Sequence, residues 1–182
     1  MATSTFLNAS LPDTSDRMLF AVPKKGRLYD QCLGLLNSIG IEFHRKPRHD
    51  IALVTNMPIA LIFLPAADIA TYVAKGNIDI GITGLDIISE SQTENDVAEL
   101  LRLGFGKCKL QVQVPLQPQS CSVQDLVGKR IVTSFINLTK QRFAELEGVS
   151  DPDKIRTQVR FVSGSVEAAC GLGLADGIVD LV

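Results

Sequence analysis

The chain has 182 residues, enough for one large domain or two small ones. Apolar residues at 46% against 21% charged supply a hydrophobic core and exclude a disordered chain. A formal net charge of −2, no Trp and 5% aromatics exclude a broad basic face or a stacking platform for nucleic acid, although a local phosphate site stays open.

Residues 1–17 are rich in Ser, Thr, Asp and Pro and read as a flexible tail. They carry no basic n-region and no apolar h-region, and Asp13 and Asp16 precede the first Arg, so neither a secretory signal nor a mitochondrial presequence is expected. No apolar run approaches the ~20 residues that cross a bilayer. Cys32, Cys108, Cys121 and Cys170 form no CxxC pair and lie far from His44 and His49, so neither structural zinc nor a disulfide scaffold is expected. These features point to a cytoplasmic protein with reduced thiols.

Met18–Val22 reads as a buried strand ending at Pro23. Leu28, Cys32, Leu35, Leu36 and Ile39 then fall on one helical face, with Gly40 as the stop. Asp50–Thr55 and Ile59–Leu64 are two further strands. Pro65 opens a helix on which Ile69, Tyr72 and Val73 share a face. Ile78–Ile82 is a strand, Thr83–Asp86 turns into a short helix, and Glu90–Asp96 is polar and expected to be exposed. Val97–Leu103 and Lys109–Val114 read as strands around the turn Gly104–Lys107. Pro115–Ser122 is a loop and Val123–Val127 a short helix. Arg130–Ser134 is a strand that leads through Asn137, Leu138 and Thr139 into a helix ending near Glu147, followed by a polar stretch to Thr157. Val159–Val162 is a strand, Ser163–Ser165 starts a helix to about Leu174, and Gly177–Val182 is the last strand. Strands alternating with helices imply an α/β protein with mostly parallel sheets covered on both faces. The boundary is placed near residue 105, giving a first lobe over 18–105 and a second over 106–182.

In such sheets ligands bind where strands end and helices begin. The loops Lys24–Arg27, Thr83–Asp86, Asn137–Thr139 and Ser163–Ser165 stand at those places, where free backbone N–H groups and a helix dipole suit an anion. Each has an ordinary reading: turn glycines at Gly26 and Gly84, plain N-caps at Asn137 and Ser165, a solvated patch at Lys24, Lys25 and Arg27. Their coincidence on one edge makes a polyphosphate ligand as good a reading as the structural one. Lys107 and Lys109 flank Cys108 and read locally as a solvated edge. The basic run Arg45–His49 reads as a solvated loop, with both histidines exposed, and Cys32 and Cys170 as core residues. No Ser/His/Asp or Cys/His set stands out, so covalent catalysis is unsupported.

Five segments in this order, AVPKKGRL (21–28), DIGITGLDII (79–88), LGFGKCKL (103–110), GKRIVTSFINLT (128–139) and SGSVEAACGLGLADGIVDLV (163–182), resemble the ATP phosphoribosyltransferases, in their fungal branch. The resemblance implies two lobes of the periplasmic-binding-protein type II kind with an active site in the cleft between them. It implies transfer of phosphoribosyl from phosphoribosyl pyrophosphate to N1 of ATP, the first step of histidine biosynthesis, with Mg²⁺ as cofactor and metal ligands unassigned. It also implies a homo-oligomer for the full-length family member, while the composition above points to no nucleic-acid and no membrane partner. Carried over, Lys25, Arg27, Asp176 and Asp180 would be catalytic. Gly26, Gly84, Asp86, Lys107, Lys109, Asn137, Leu138, Thr139, Ser163, Gly164, Ser165 and Glu167 would bind substrate. The family's Ser/Thr-Gly-x-Thr loop after Asp180-Leu181-Val182 is not in this sequence, and Lys24-Lys25 is one residue longer than the usual single Lys. The expectation is a truncated chain of impaired turnover. The alternatives are a non-catalytic module for a nucleotide or other small molecule, and an assembly partner of longer subunits.

Overall fold

The computed structural model describes residues 12–47, 49–115 and 122–182. The first eleven residues of the expected tail, Arg48 of the basic loop, and 116–121 with Cys121 lie outside the described residues. Two compact units divide the chain at Gly106 and Lys107.

The first unit holds β1 (Met18–Pro23), α1 (Tyr29–Ser38), β2 (Ile51–Leu53), β3 (Ile59–Leu64), α2 (Ala66–Ala74), β4 (Ile80–Gly81) and α3 (Leu85–Glu90). Its sheet has the order β2-β3-β1-β4. Strand β1 pairs in parallel with β3 and β4, whereas β2 runs antiparallel to β3. Side-chain alternation sends successive residues of β1 to opposite faces. Val22 joins Leu61, Phe63, Cys32 and Leu36 under α1, and Ala21 joins Ile69 and Ile78 under α2.

The second unit holds β5 (Leu110–Gln113), a 3₁₀ turn (Val123–Leu126), β6 (Arg130–Thr133), α4 (Ile136–Glu147), a 3₁₀ turn (Pro152–Lys154), β7 (Gln158–Phe161), α5 (Ala168–Gly171) and β8 (Gly177–Leu181). The order is β5-β8-β6-β7. Strand β6 is parallel to β7 and β8, and β5 is antiparallel to β8. The same alternation divides this core. Ile131 and Val179 pack with Phe143 of α4, and Val132 and Ile178 pack with Ala169 of α5. Both units are thus α/β sheets of mostly parallel strands with one antiparallel strand each.

Several expectations are corrected. Val97–Leu103 forms no strand: Leu100 and Leu101 are 72% and 75% exposed, and only Leu103 and Phe105 reach the first unit's core. Apolar residues without a partner strand do not make a ladder. Ile39 is exposed because α1 stops at Ser38, and Gly40 in a left-handed conformation (φ +77°) returns the chain to bury Ile41 instead. Tyr72 is exposed, and Ala70 takes its place beside Ile69 on the buried face of α2. Thr93, expected at the surface, is buried, with its hydroxyl 2.9 Å from Ser91 Oγ. The helix expected from Ser163 to Leu174 contracts to Ala168–Gly171, because Ser165 and Gly173 both take positive φ (51° and 69°). Among the described residues no helix is long and apolar enough to cross a membrane.

Candidate functional site

In the first unit the parallel strands β1, β3 and β4 end on one edge, at Pro23, Leu64 and Gly81. The loop Lys24–Leu28 leaves from the centre of that edge. Lys24 N–H donates to Leu64 O at 2.8 Å, which ties the loop to the neighbouring strand end. Gly26 adopts φ +93°, and its carbonyl accepts Tyr29 N–H at 3.1 Å, so this turn needs a residue free of a Cβ. Lys25, Gly26 and Arg27 are exposed.

Strand β2 enters this edge from the opposite direction, which brings Asp50 beside the loop. Lys24 Nζ lies 3.7 Å from Asp50 Oδ2, and Arg45 Nη2 lies 3.5 Å from Asp50 Oδ1. Arg45 is not the solvated residue that its charge suggests. Its guanidinium sits 4.0 Å over the Phe63 ring, and its Nε–H donates to His49 O at 2.9 Å. Sequence reasoning missed Arg45 and Asp50. The one available signal was their position flanking the amino end of a strand that had to be antiparallel. His44 and His49 are exposed, as expected.

At the end of β4, Gly84 precedes α3, and the Asp86 carboxylate folds back into the space that a Gly84 Cβ would occupy. Both residues are half-buried. Thr83 Oγ1 is buried with no hydrogen-bond partner, the one such side-chain atom among the described residues.

In the second unit β6, β7 and β8 end together at Thr133, Phe161 and Leu181. The antiparallel β5 begins at that edge. Lys109 exchanges both backbone hydrogen bonds with Val182 at 2.8 Å, and Lys107 precedes it, so both exposed lysines stand beside the carboxyl end of β8. Ser163, Gly164 and Ser165 follow β7 and are exposed, as is Glu167, which immediately precedes the short α5. Asp180 is half-buried near the end of β8, and its Oδ1 accepts Leu181 N–H at 2.8 Å.

Asn137 and Leu138 form the first turn of α4, not a loop before it, and are half-buried. Thr139 is 1% exposed and its hydroxyl lies 3.5 Å from that of Thr133. That hydroxyl thus faces an internal neighbour in the fold. Asp176 likewise has an internal partner. It precedes β8 at the amino edge of the second unit's sheet, opposite that unit's strand-end loops, where Arg130 holds it through two guanidinium hydrogen bonds. Those bonds, together with the Arg130 backbone N–H, keep its carboxyl well below the usual range, at about 2.

Among the described residues no three His, Cys, Asp or Glu side chains gather to hold a metal. Burial raises the Cys32 thiol to about 11, so it is a core residue and no nucleophile. Each sheet therefore offers a polar edge that carries exposed basic side chains suited to phosphate.

Comparison with known proteins agrees with that chemistry. The family model described as ATP phosphoribosyltransferase (HisG) matches residues 65–182. An ATP phosphoribosyltransferase of Debaryomyces hansenii is 58% identical over 167 residues, covering 92% of this chain and 55% of that protein. The one of Saccharomyces cerevisiae is 54% identical over 168 residues, with 92% and 56% covered. The chain thus spans about half the length of the curated relatives it matches. Among solved structures, an ATP phosphoribosyl transferase (HisG:HisZ) complex from Thermotoga maritima aligns with a TM-score of 0.70 and 28% identity, over 91% of this chain and 74% of that one. Its two-lobe fold is of the periplasmic-binding-protein type II kind, and the two α/β units here are built alike. With the model covering most of the chain and relatives this similar, the chain belongs to the ATP phosphoribosyltransferase family.

Proposed function

We propose that this chain carries phosphate-binding machinery for transfer of a phosphoribosyl group from phosphoribosyl pyrophosphate to N1 of ATP, the first step of histidine biosynthesis. The carrying observation is that Lys25 and Arg27 in one unit, and Lys107 and Lys109 in the other, each stand at the carboxyl edge of their own sheet. The reaction forms a bond between adenine N1 and ribose C1 and breaks the bond from C1 to pyrophosphate. It asks for positioned cations on the departing pyrophosphate and for no protein nucleophile. On this reading Lys25 and Arg27 act on the reacting phosphates, with Gly26 allowing close backbone approach. Gly84 and Asp86 line the nucleotide side. Lys107, Lys109, Asn137, Leu138, the Ser163–Ser165 loop and Glu167 serve the second substrate, and Asp180 orients its ribose.

Mg²⁺ would add charge neutralisation on the phosphates. The described residues form no cage for it, so it would arrive on the substrates, as Mg²⁺ commonly does. A cytoplasmic, homo-oligomeric enzyme fits this role.

Calorimetric titration of the chain with ATP and with pyrophosphate tests the reading. Lys25→Ala and Arg27→Ala should each weaken binding about tenfold or more. Unchanged affinity in both variants would remove these residues from the site.

A further inference from the structure

The cations at the first unit's edge are unequally employed. Lys25 and Arg27 are exposed, whereas Lys24 faces a carboxylate supplied by another segment of the chain. That carboxylate, Asp50, also faces Arg45, so one anion stands between two cations.

The two sides of this cluster differ in firmness. Arg45 is fixed from several directions: the Phe63 ring beneath it at 4.0 Å, His49 O at 2.9 Å from Nε, and Tyr29 Oη at 3.4 Å from Nη1. Tyr29 begins α1, directly behind the Lys24–Leu28 loop. The anion is held loosely. Its contacts of 3.5 and 3.7 Å exceed those of a close charge-assisted hydrogen bond, and its side chain is 54% exposed. The Arg130–Asp176 pair, at 2.7 Å, shows the tight arrangement that Asp50 lacks. A rigid cationic platform thus carries a solvated, displaceable carboxylate.

We propose that Asp50 is an internal counter-anion that limits how many cations the Lys24–Arg27 loop offers to a phosphate ligand. The inference rests on the reading of that loop as a phosphate site. With Asp50 in place, Lys25 and Arg27 meet the incoming anion, and Lys24 is occupied. A diphosphate, carrying more charge and reach than a single phosphate, competes with Asp50 for Lys24 and Arg45. Asp50 thereby weakens binding of anions at this edge.

The test uses the full 182-residue chain and inorganic pyrophosphate, titrated calorimetrically across a series of salt concentrations. Asp50→Asn should bind about fivefold more tightly, as expected for removing one charge near the ligand in high dielectric, and its affinity should fall more steeply with salt. The double variant Asp50→Asn/Lys24→Met should return to the parent affinity. Parent-like or weaker binding by Asp50→Asn overturns the inference, whether or not the melting temperature changes. Lys25→Ala separates the two ideas. If it weakens binding and Asp50→Asn does not strengthen it, the phosphate reading stands and the counter-anion falls. If Asp50→Asn strengthens binding and Lys25→Ala leaves it unchanged, the counter-anion stands and the role of Lys25 falls. If neither the parent chain nor Asp50→Asn binds pyrophosphate, both fall.

Discussion

Arg130 and Asp176 close a two-point ion pair across the amino ends of β6 and β8, with Nη2 donating to Oδ1 at 2.7 Å and Nε donating to Oδ2 at 3.1 Å. The backbone completes the clasp: Arg130 N–H donates to Oδ2 at 2.9 Å, and Asp176 N–H donates to Arg130 O at 2.8 Å. The aspartate thereby fastens neighbouring strands.

Replacing it should therefore change stability and leave pyrophosphate affinity alone. Because the Asp176 side chain is 36% exposed, solvent screening keeps its contribution to about 1 kcal/mol or less. Its carboxyl is lowered from 3.8 to about 2, so that contribution is present above 3.8 and fades as pH falls toward 2. Thermal melts of Asp176→Asn at pH 7 and at pH 2 should show a deficit at the higher pH that shrinks markedly at the lower.

Glu147 gives a larger acid-sensitive effect. Its side chain is 2% exposed, and burial alone would push the carboxyl up. Hydrogen bonds from Thr157 Oγ1 at 2.6 Å, Arg156 N at 2.7 Å, Thr157 N at 3.0 Å and Arg156 Nε at 3.3 Å overcome burial and hold it at about 2, down from 4.5. The stabilisation is complete above 4.5 and is lost as pH drops through the lowered value. Glu147→Gln should cost roughly 1–3 kcal/mol at neutral pH and flatten the acid limb of the stability profile, as read by denaturant melts at several pH values.

Gly81 marks a close approach of helix and sheet. A Cβ there would meet Ile69 Cγ2 at 2.6 Å, with Val73 and Ala21 also near. Gly81→Ala should destabilise the chain by roughly 1–3 kcal/mol through overpacking. Adding Ile69→Val should recover part of that loss in a chemical denaturation series.

Thr133 is fully buried and its Oγ1 accepts the N–H of Phe135, the residue that leads into α4, at 2.9 Å. Thr133→Val leaves that donor unpaired and should cost roughly 1–3 kcal/mol, whereas Thr133→Ser should cost clearly less. Paired denaturation curves decide this.

Periodicity revealed the strands at Met18, Ile59, Arg130 and Gly177 because each is a short apolar run bounded by turn residues. It failed at Val97–Leu103, where apolar residues lack a neighbouring strand, a condition that local pattern does not encode. The loops at strand ends were legible from Gly26, Gly84 and the lysines, since turn chemistry is local. The status of Thr139 and Asp176 was not. Whether a hydroxyl or carboxylate faces solvent or an internal partner depends on Thr133 and Arg130, residues that only the folded chain brings near. Arg45 was hidden for the same reason: its aromatic platform, Phe63, comes from a strand further along the chain.

The reversed direction of β5 has a mechanical consequence. Its ladder with β8 sets Lys109 against Val182 and Gln111 against Asp180, so the phase of one strand fixes where a basic side chain emerges. Deleting Cys108 would leave Lys109 in register with Val182 and shift Lys107 by one position, onto the opposite face of the extended stretch. Length in that connector is thus as much a determinant of charge placement as the identity of the lysines themselves.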